Sequence, residues 1–337
     1  VNDLPAPSTP HSDADTALAA KHVADLIQQI KESADHMAGD HPSRGDLKII
    51  NRTLRELRYA FKVFSPYRRL RKVTIFGSAR TKPEEPAYKA AVEFGRAMAA
   101  AHWLIITGAA SGIMEAGHVG AGRENSMGLN ILLPFEQSAN RIIAGDTKLV
   151  HMKYFFTRKL MFVKETDAIC LMPGGFGTLD EGLEVLTLLQ TGKHDMLPIV
   201  MLDEPGGDYW REWQAFVEKQ LLGRGMISAE DFSLYRVTDS VEEAAAEMLD
   251  FYRVYHSMRY VHEQLVLRLM KPPSEKLVET LNTDYSDILL KGKITASQAL
   301  PEEHDDPVLA DLPRLIFHFN RRNFGRLRQL IDVVNKD

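Results

Sequence analysis

One cysteine in 337 residues, Cys170, leaves no partner for a disulfide and no set of thiolates for a structural zinc site. No run of about 18 apolar residues occurs, so no membrane-spanning helix is expected. Neither a His-Glu-x-x-His pair nor an Asp-rich cation loop is present. The scattered His118, His151 and His194 read as structural, and no metal or cofactor is expected. The G-x-G-x-x-G fingerprint and the Gly-Lys-Ser/Thr of a Walker loop are also missing, which disfavours a dinucleotide or a triphosphate. Residues Val1 to Asp15 are polar and lack the apolar core of a secretory signal, so the expected compartment is the cytoplasm. The net charge of −5 exerts no global pull on nucleic acid, and neither nucleic acid nor membrane is an expected partner.

What is present divides into three zones. Residues 1–70 carry helical patterns. Val23, Leu26, Ile27 and Ile30 fall at i, i+3, i+4 and i+7, and a second helical stretch covers Asp46 to Phe64. Lys48 to Lys72 holds nine basic residues against Glu56, a local charge of +8. That run reads either as a solvated helix face or as a surface facing an anion. Residues 71–255 alternate strand-like runs with helices. The strands are Val73–Phe76, Trp103–Thr107, Leu129–Leu133, Ala168–Met172 and Pro198–Leu202; the helices include Tyr88–Ala101, Tyr154–Val163 and Leu179–Gln190. This alternation predicts an α/β fold: a Rossmann-like open parallel sheet with helices on both faces. Residues 256–337 lose the alternation and read as a helical appendage, ending in a helix with Leu327, Leu330, Ile331 and Val334 on one face. The basic cluster Arg321, Arg322, Arg326 and Arg328 precedes or overlaps it.

Ligands of open parallel sheets bind beyond the carboxyl ends of the strands. Three strand ends here carry unusual turns: Gly77-Ser78-Ala79-Arg80, the segment from Thr107 and Gly108 to Glu115, and Met172 to Glu181. The last is the most informative. Gly174, Gly175 and Gly177 let the backbone approach a ligand and aim its N–H groups, and Thr178 opens the next helix. A mononucleotide phosphate suits such a seat.

Two side chains near these turns have alternative readings. Thr178-x-x-Glu181 matches a capping box, in which Glu181 only ties off the helix. Alternatively Glu181 acts on the ligand. A carboxylate about 6 Å from a phosphate costs roughly 3 kcal/mol at an effective dielectric of 20, a cost best tolerated where the group has chemical work. Arg158 lies between Phe155 and Phe162 on a helix face. It either snorkels to solvent or enters the pocket to hold a phosphate or pair with Glu181. Glu115 either lines the pocket or serves its helix N-terminus, Asp180 reads as outward-facing, and Cys170 reads as inert core.

Five segments together resemble a known family: Gly77-Ser78-Ala79-Arg80, Gly112 to Ala116, Leu133-Pro134-Phe135-Glu136-Gln137, Arg158-Lys159, and Pro173 to Glu181. The family is Lonely Guy (LOG), the cytokinin riboside 5′-monophosphate phosphoribohydrolases often labelled lysine decarboxylases. Its PGGxGTxxE motif is met in full, the resemblance spans about residues 72–250, and the helical extensions on either side resemble those of longer bacterial members. The resemblance implies hydrolysis of the N-glycosidic bond of a nucleoside 5′-monophosphate, either a cytokinin riboside monophosphate or AMP. It implies Arg158 and Glu181 as the catalytic pair and a phosphate held by Gly174, Gly175, Gly177 and Thr178. Gly77, Ser78, Gly108, Glu115, Lys159 and Thr187 would line the site, with Glu136 and Asn140 on the nucleotide. It further implies a homodimer or larger homo-oligomer, with the 154–163 helix and the C-terminal zone as candidate interfaces. The competing reading is a non-catalytic nucleotide-binding or sensor module. Pyridoxal-dependent decarboxylation would need a Schiff-base lysine and a pyridinium partner, for which no lysine has a recognisable setting.

Overall fold

Seven short strands, most of them wholly buried, form one parallel sheet. They are β1 (Lys72–Phe76), β2 (Leu104–Thr107), β3 (Ser126–Ile131), β4 (Leu149–Met152), β5 (Ala168–Leu171), β6 (Ile199–Leu202) and β7 (Arg236–Thr238). Their order is β4-β3-β2-β1-β5-β6-β7, the Rossmann-like arrangement expected. The computed structural model describes residues 23–132, 138–303 and 307–337. Two compact units are present, Val1–Arg69 and Leu70–Asp337.

The chain leaves β1 in one direction and returns after β4 to the opposite side of β1. The topological switch therefore lies between β1 and β5, where the first and third glycine turns meet. One face of the sheet buries Val73, Ile75, Ile105, Cys170 and Val200. They pack against α3 (Pro86–Ala100), α4 (Ile113–Ala121) and α8 (Val241–Phe251). On the other face Phe76 meets Phe162 of α5 (Phe155–Glu165) edge-on at 4.9 Å, and Gly182 of α6 (Phe176–Gln190) packs on Leu171. Cys170 is fully buried, and burial pushes its thiol well up, as inert core requires.

Three sequence expectations are corrected. The third strand begins at Ser126, three residues before the expected start, and Leu133 lies outside the described residues. Strand β4 was not anticipated: four residues with an exposed His151 give too short a pattern. The C-terminal zone is helical only in part, in α9 (Glu275–Asp284) and α10 (Phe324–Val334). Its frame is an antiparallel sheet of β8 (Tyr255–Val261), β9 (Gln264–Leu269), β10 (Leu289–Ser297) and β11 (Arg314–Phe319), in the order β10-β11-β9-β8. The β8–β9 turn escaped notice because His262-Glu263 replaces the usual Asn-Gly, with His262 adopting φ +52°.

The basic residues near both ends of the main unit are largely internal ties. Arg71 pairs with Asp167 at 2.6 Å and stacks on Tyr252, and Lys72 is buried in β1. Arg328 is buried between Glu247 of α8 and Asp332, so the last helix packs on the parallel-sheet unit itself. Among the described residues no helix is long and apolar enough to cross a membrane.

In the N-terminal unit, α1 (Ala24–His36) and α2 (Arg44–Phe64) form where expected. Ser43 and Asp46 build a reciprocal capping box at the start of α2.

Candidate active site

The three glycine turns are hydrogen-bonded into one wall. Ser78 N–H donates to Pro173 O at 3.1 Å, and Ile113 N–H donates to Ser78 O at 3.0 Å. Ser111 Oγ donates to Ala79 O at 2.9 Å. The glycines divide by what surrounds them. A Cβ at Gly77 would lie 2.6 Å from Ile113, and one at Gly174 would lie 2.2 Å from Thr178 Oγ1. These glycines permit turn-on-turn packing. A Cβ at Gly175 or Gly177 would meet nothing within 4 Å, so those two border open space. Tyr209, at the start of α7 (Tyr209–Phe216), donates its hydroxyl to Gly174 O at 2.7 Å. Sequence reasoning missed Tyr209: it follows β6 in no motif, and only an aromatic beside a Gly-Gly turn marks it.

Helix α6 starts earlier than the capping-box reading requires. Its N-cap is Gly175, without a side-chain cap, so its first-turn N–H groups are left for an anion. Thr178 lies inside the first turn, buried against Gly174. Glu181 reaches another helix: Arg158 Nη2 donates to its Oε1 at 3.1 Å. The capping alternative for Glu181 is thereby set aside.

Arg158 and Glu181 are each only 12% exposed. Burial raises the Glu181 carboxyl to about 7, against the opposing pull of Arg158 and Lys159. Burial also draws the Arg158 guanidinium down, and Glu181 opposes it. Arg158 sits between the Phe155 and Phe162 rings, 5.2 and 5.5 Å from their centroids. It does not snorkel. Its Nε is buried with no hydrogen-bond partner, and its Nη1 adjoins Gly108. A buried, orphaned donor beside a carboxylate is the kind of exception a ligand would satisfy.

The other expected residues are not all gathered there. Lys159 pairs with Asp180 at 2.8 Å and Glu184 at 2.6 Å, and Asp180 faces outward as expected, with its side chain 61% exposed. Burial opposes the charge on Lys159, but the bonds from both carboxylates raise its pKa overall. With Leu183, Thr187 and Leu188 these residues line a separate open groove along α6. Thr187 Oγ1 there donates to Leu183 O at 2.8 Å. Glu115 pairs with Arg141 at 3.2 Å. Asn140 spends its amide on the fold: it donates to Ala110 O and toward His118 Nδ1, both at 3.2 Å, and accepts from Ile142 N–H. His118 Nε2 lies 3.0 Å from Met127 O, and burial lowers this ring to about 4, fitting a neutral structural imidazole. Glu136 falls outside the described residues. Among the described residues no group of three or more His, Cys, Asp or Glu could hold a metal ion.

Comparison with known proteins follows the same core. A family described as "Possible lysine decarboxylase" matches residues 107–248. The probable cytokinin riboside 5′-monophosphate phosphoribohydrolase LOGL2 of Oryza sativa subsp. japonica is 30% identical over 156 residues, which cover 45% of this chain and 61% of that protein. The chain thus spans less than two thirds of that relative. The cytokinin riboside 5′-monophosphate phosphoribohydrolase LOG7 of Arabidopsis thaliana is 30% identical over 167 residues, covering 48% of this chain and 72% of that one. Among solved structures, the molybdenum cofactor binding protein of Rippkaea orientalis is 19% identical, covers 52% of this chain and 93% of its own, and has a TM-score of 0.36.

Proposed function

This chain belongs to the Lonely Guy family, and on that premise we propose that it hydrolyses the N-glycosidic bond of a nucleoside 5′-monophosphate to free base and ribose 5-phosphate. A cytokinin riboside monophosphate or AMP is the substrate in this reading. The observation that carries it is Glu181, buried and held by Arg158 beside the glycine cradle instead of capping its own helix.

The chemistry follows from the charges. The 5′-phosphate rests on the uncapped N-terminus of α6, on the amides from Gly175 to Thr178. Binding there, remote from the scissile bond, places the anomeric carbon beside Glu181. As the base departs, positive charge develops at that carbon. A carboxylate stabilises it and accepts a proton from the attacking water, and that proton ends on the ring nitrogen released with the free base. Arg158 orients Glu181 through Nη2, and its orphaned Nε is available to the ribose phosphate or a hydroxyl. Lys159 is held as an ammonium by two carboxylates, the wrong state for a Schiff-base nucleophile, which weighs against decarboxylation.

We further read the chain as a cytoplasmic homo-oligomer. Phe155, Phe156 and Leu160 expose about half their surfaces along α5, and Phe176 is 93% exposed, which suits burial against a second subunit beside the cradle. A monomeric mass in light scattering contradicts this part of the reading.

Incubation with AMP and with isopentenyl-AMP, followed by chromatography of the free base, tests the activity. The wild-type chain releases base, and Glu181→Ala releases it at least a hundredfold more slowly while remaining folded. Tight mononucleotide binding with no base release would instead support a non-catalytic binding module.

A further inference from the structure

A peptide plane between two glycines has no side chain on either flank to fix its direction, and reversing it exchanges the places of its C=O and N–H. Gly174-Gly175 is such a pair. Gly175 has φ −86°, and reversal would carry it to a positive φ that glycine tolerates. The plane is held from one side, where the Gly174 carbonyl accepts the Tyr209 hydroxyl at 2.7 Å. The neighbouring carbonyls are taken by the main chain. Pro173 O accepts from Ser78 N–H at 3.1 Å, and Gly175 O accepts from Leu179 N–H at 3.2 Å. Tyr209 thus bonds the carbonyl whose plane is freest to turn.

A trans peptide points its C=O and N–H in opposite directions, so a Gly174 carbonyl turned to Tyr209 turns the Gly175 N–H away from it. The surroundings differ in charge. Gly174 and Tyr209 share the wall of a cavity of about 340 Å³ with Asp203, Glu204 and Asp208, whose carboxylates repel a phosphate. Gly175 borders open space at the uncapped start of α6.

Tyr209 is itself anchored. Asp203, 4% exposed, accepts from Glu204 N–H at 2.9 Å and, through its other oxygen, from Trp210 N–H at 3.1 Å, which fixes the start of α7. The Tyr209 ring meets the buried Trp210 edge-on at 4.8 Å.

We propose that Tyr209 is a positioning residue whose hydroxyl locks the Gly174–Gly175 peptide with its N–H toward the phosphate seat. The inference rests on that seat in the proposed reaction. Without the hydroxyl the plane takes both directions, and the reversed one aims a carbonyl oxygen at the anion.

Calorimetric titration of the full chain with AMP and with adenosine tests it. Wild type should bind AMP more tightly than adenosine. Tyr209→Phe keeps the ring and removes only the hydroxyl. Its AMP affinity should fall about fivefold, as the fraction of correctly aimed peptides falls, with adenosine affinity unchanged. A tyrosine that only supported the fold would weaken both ligands alike. Base release plays no part in the titration, so a failed lock is told apart from a failed reaction. Unchanged AMP affinity in the variant, or an equal loss for both ligands, overturns the proposal. A wild type that holds AMP no better than adenosine overturns it together with the seat it rests on.

Discussion

Glu181 stands between opposing influences, and their balance sets a pH dependence. Burial raises its carboxyl from an ordinary value to about 7, while Arg158 and Lys159 hold it back. Under the proposed reaction the ionised form is the active one. The sign then follows: kcat/KM falls about tenfold per pH unit below about 7, and levels off above it. A profile for wild type and Glu181→Gln checks this. The limb near 7 should vanish from the residual activity of the variant, and a wild-type profile that stays flat down to pH 5 contradicts the assignment. The pair itself was legible in the sequence only as alternatives. A Thr-x-x-Glu spacing cannot distinguish a cap from a reagent, because the two differ in where the helix begins. Here it begins at Phe176, which removes Thr178 from the cap position.

At the scale of elements, the glycines of the third turn serve two ends. Gly174 is enclosed by Thr178 and Ser78, whereas Gly175 faces open space. Gly174→Ala should therefore destabilise the chain by about 1–3 kcal/mol through overpacking, read as a lower denaturation midpoint. Gly175→Ala should leave stability nearly unchanged while raising KM at least tenfold, because its methyl group occupies the phosphate seat. Equal effects of the two on stability would contradict the division. The strand ends and turns were readable because buried strands are continuously apolar and their glycines have few alternative uses. The C-terminal strands were not. Tyr255 to Val261 mixes His256 and Arg259 into its run, and its hairpin lacks a glycine. Such a strand is defined by the neighbours it meets, which a local pattern does not contain.

At the scale of the molecule, the antiparallel sheet is closed by a buried charge cluster. Glu303 accepts from Arg268 at 2.8 Å and Arg314 at 3.1 Å, and all three side chains are almost fully buried. Removing the carboxylate strands two guanidinium groups, so Glu303→Ala should cost about 3–5 kcal/mol of unfolding free energy. Denaturant titration measures it, and a loss below about 1 kcal/mol would show the arginines finding other partners. Arg328 and Glu247 bind the final helix to α8, so the C-terminal zone completes the main unit. The sequence suggested a packed appendage, but no spacing rule joins residues eighty positions apart.

The most direct measurement is a crystal structure of the Glu181→Gln variant soaked with AMP. The account predicts the phosphate on the amides from Gly175 to Thr178 and the anomeric carbon in contact with position 181. A nucleotide bound elsewhere, or a residue 181 turned from the ribose and bonded only to its own helix, would contradict it.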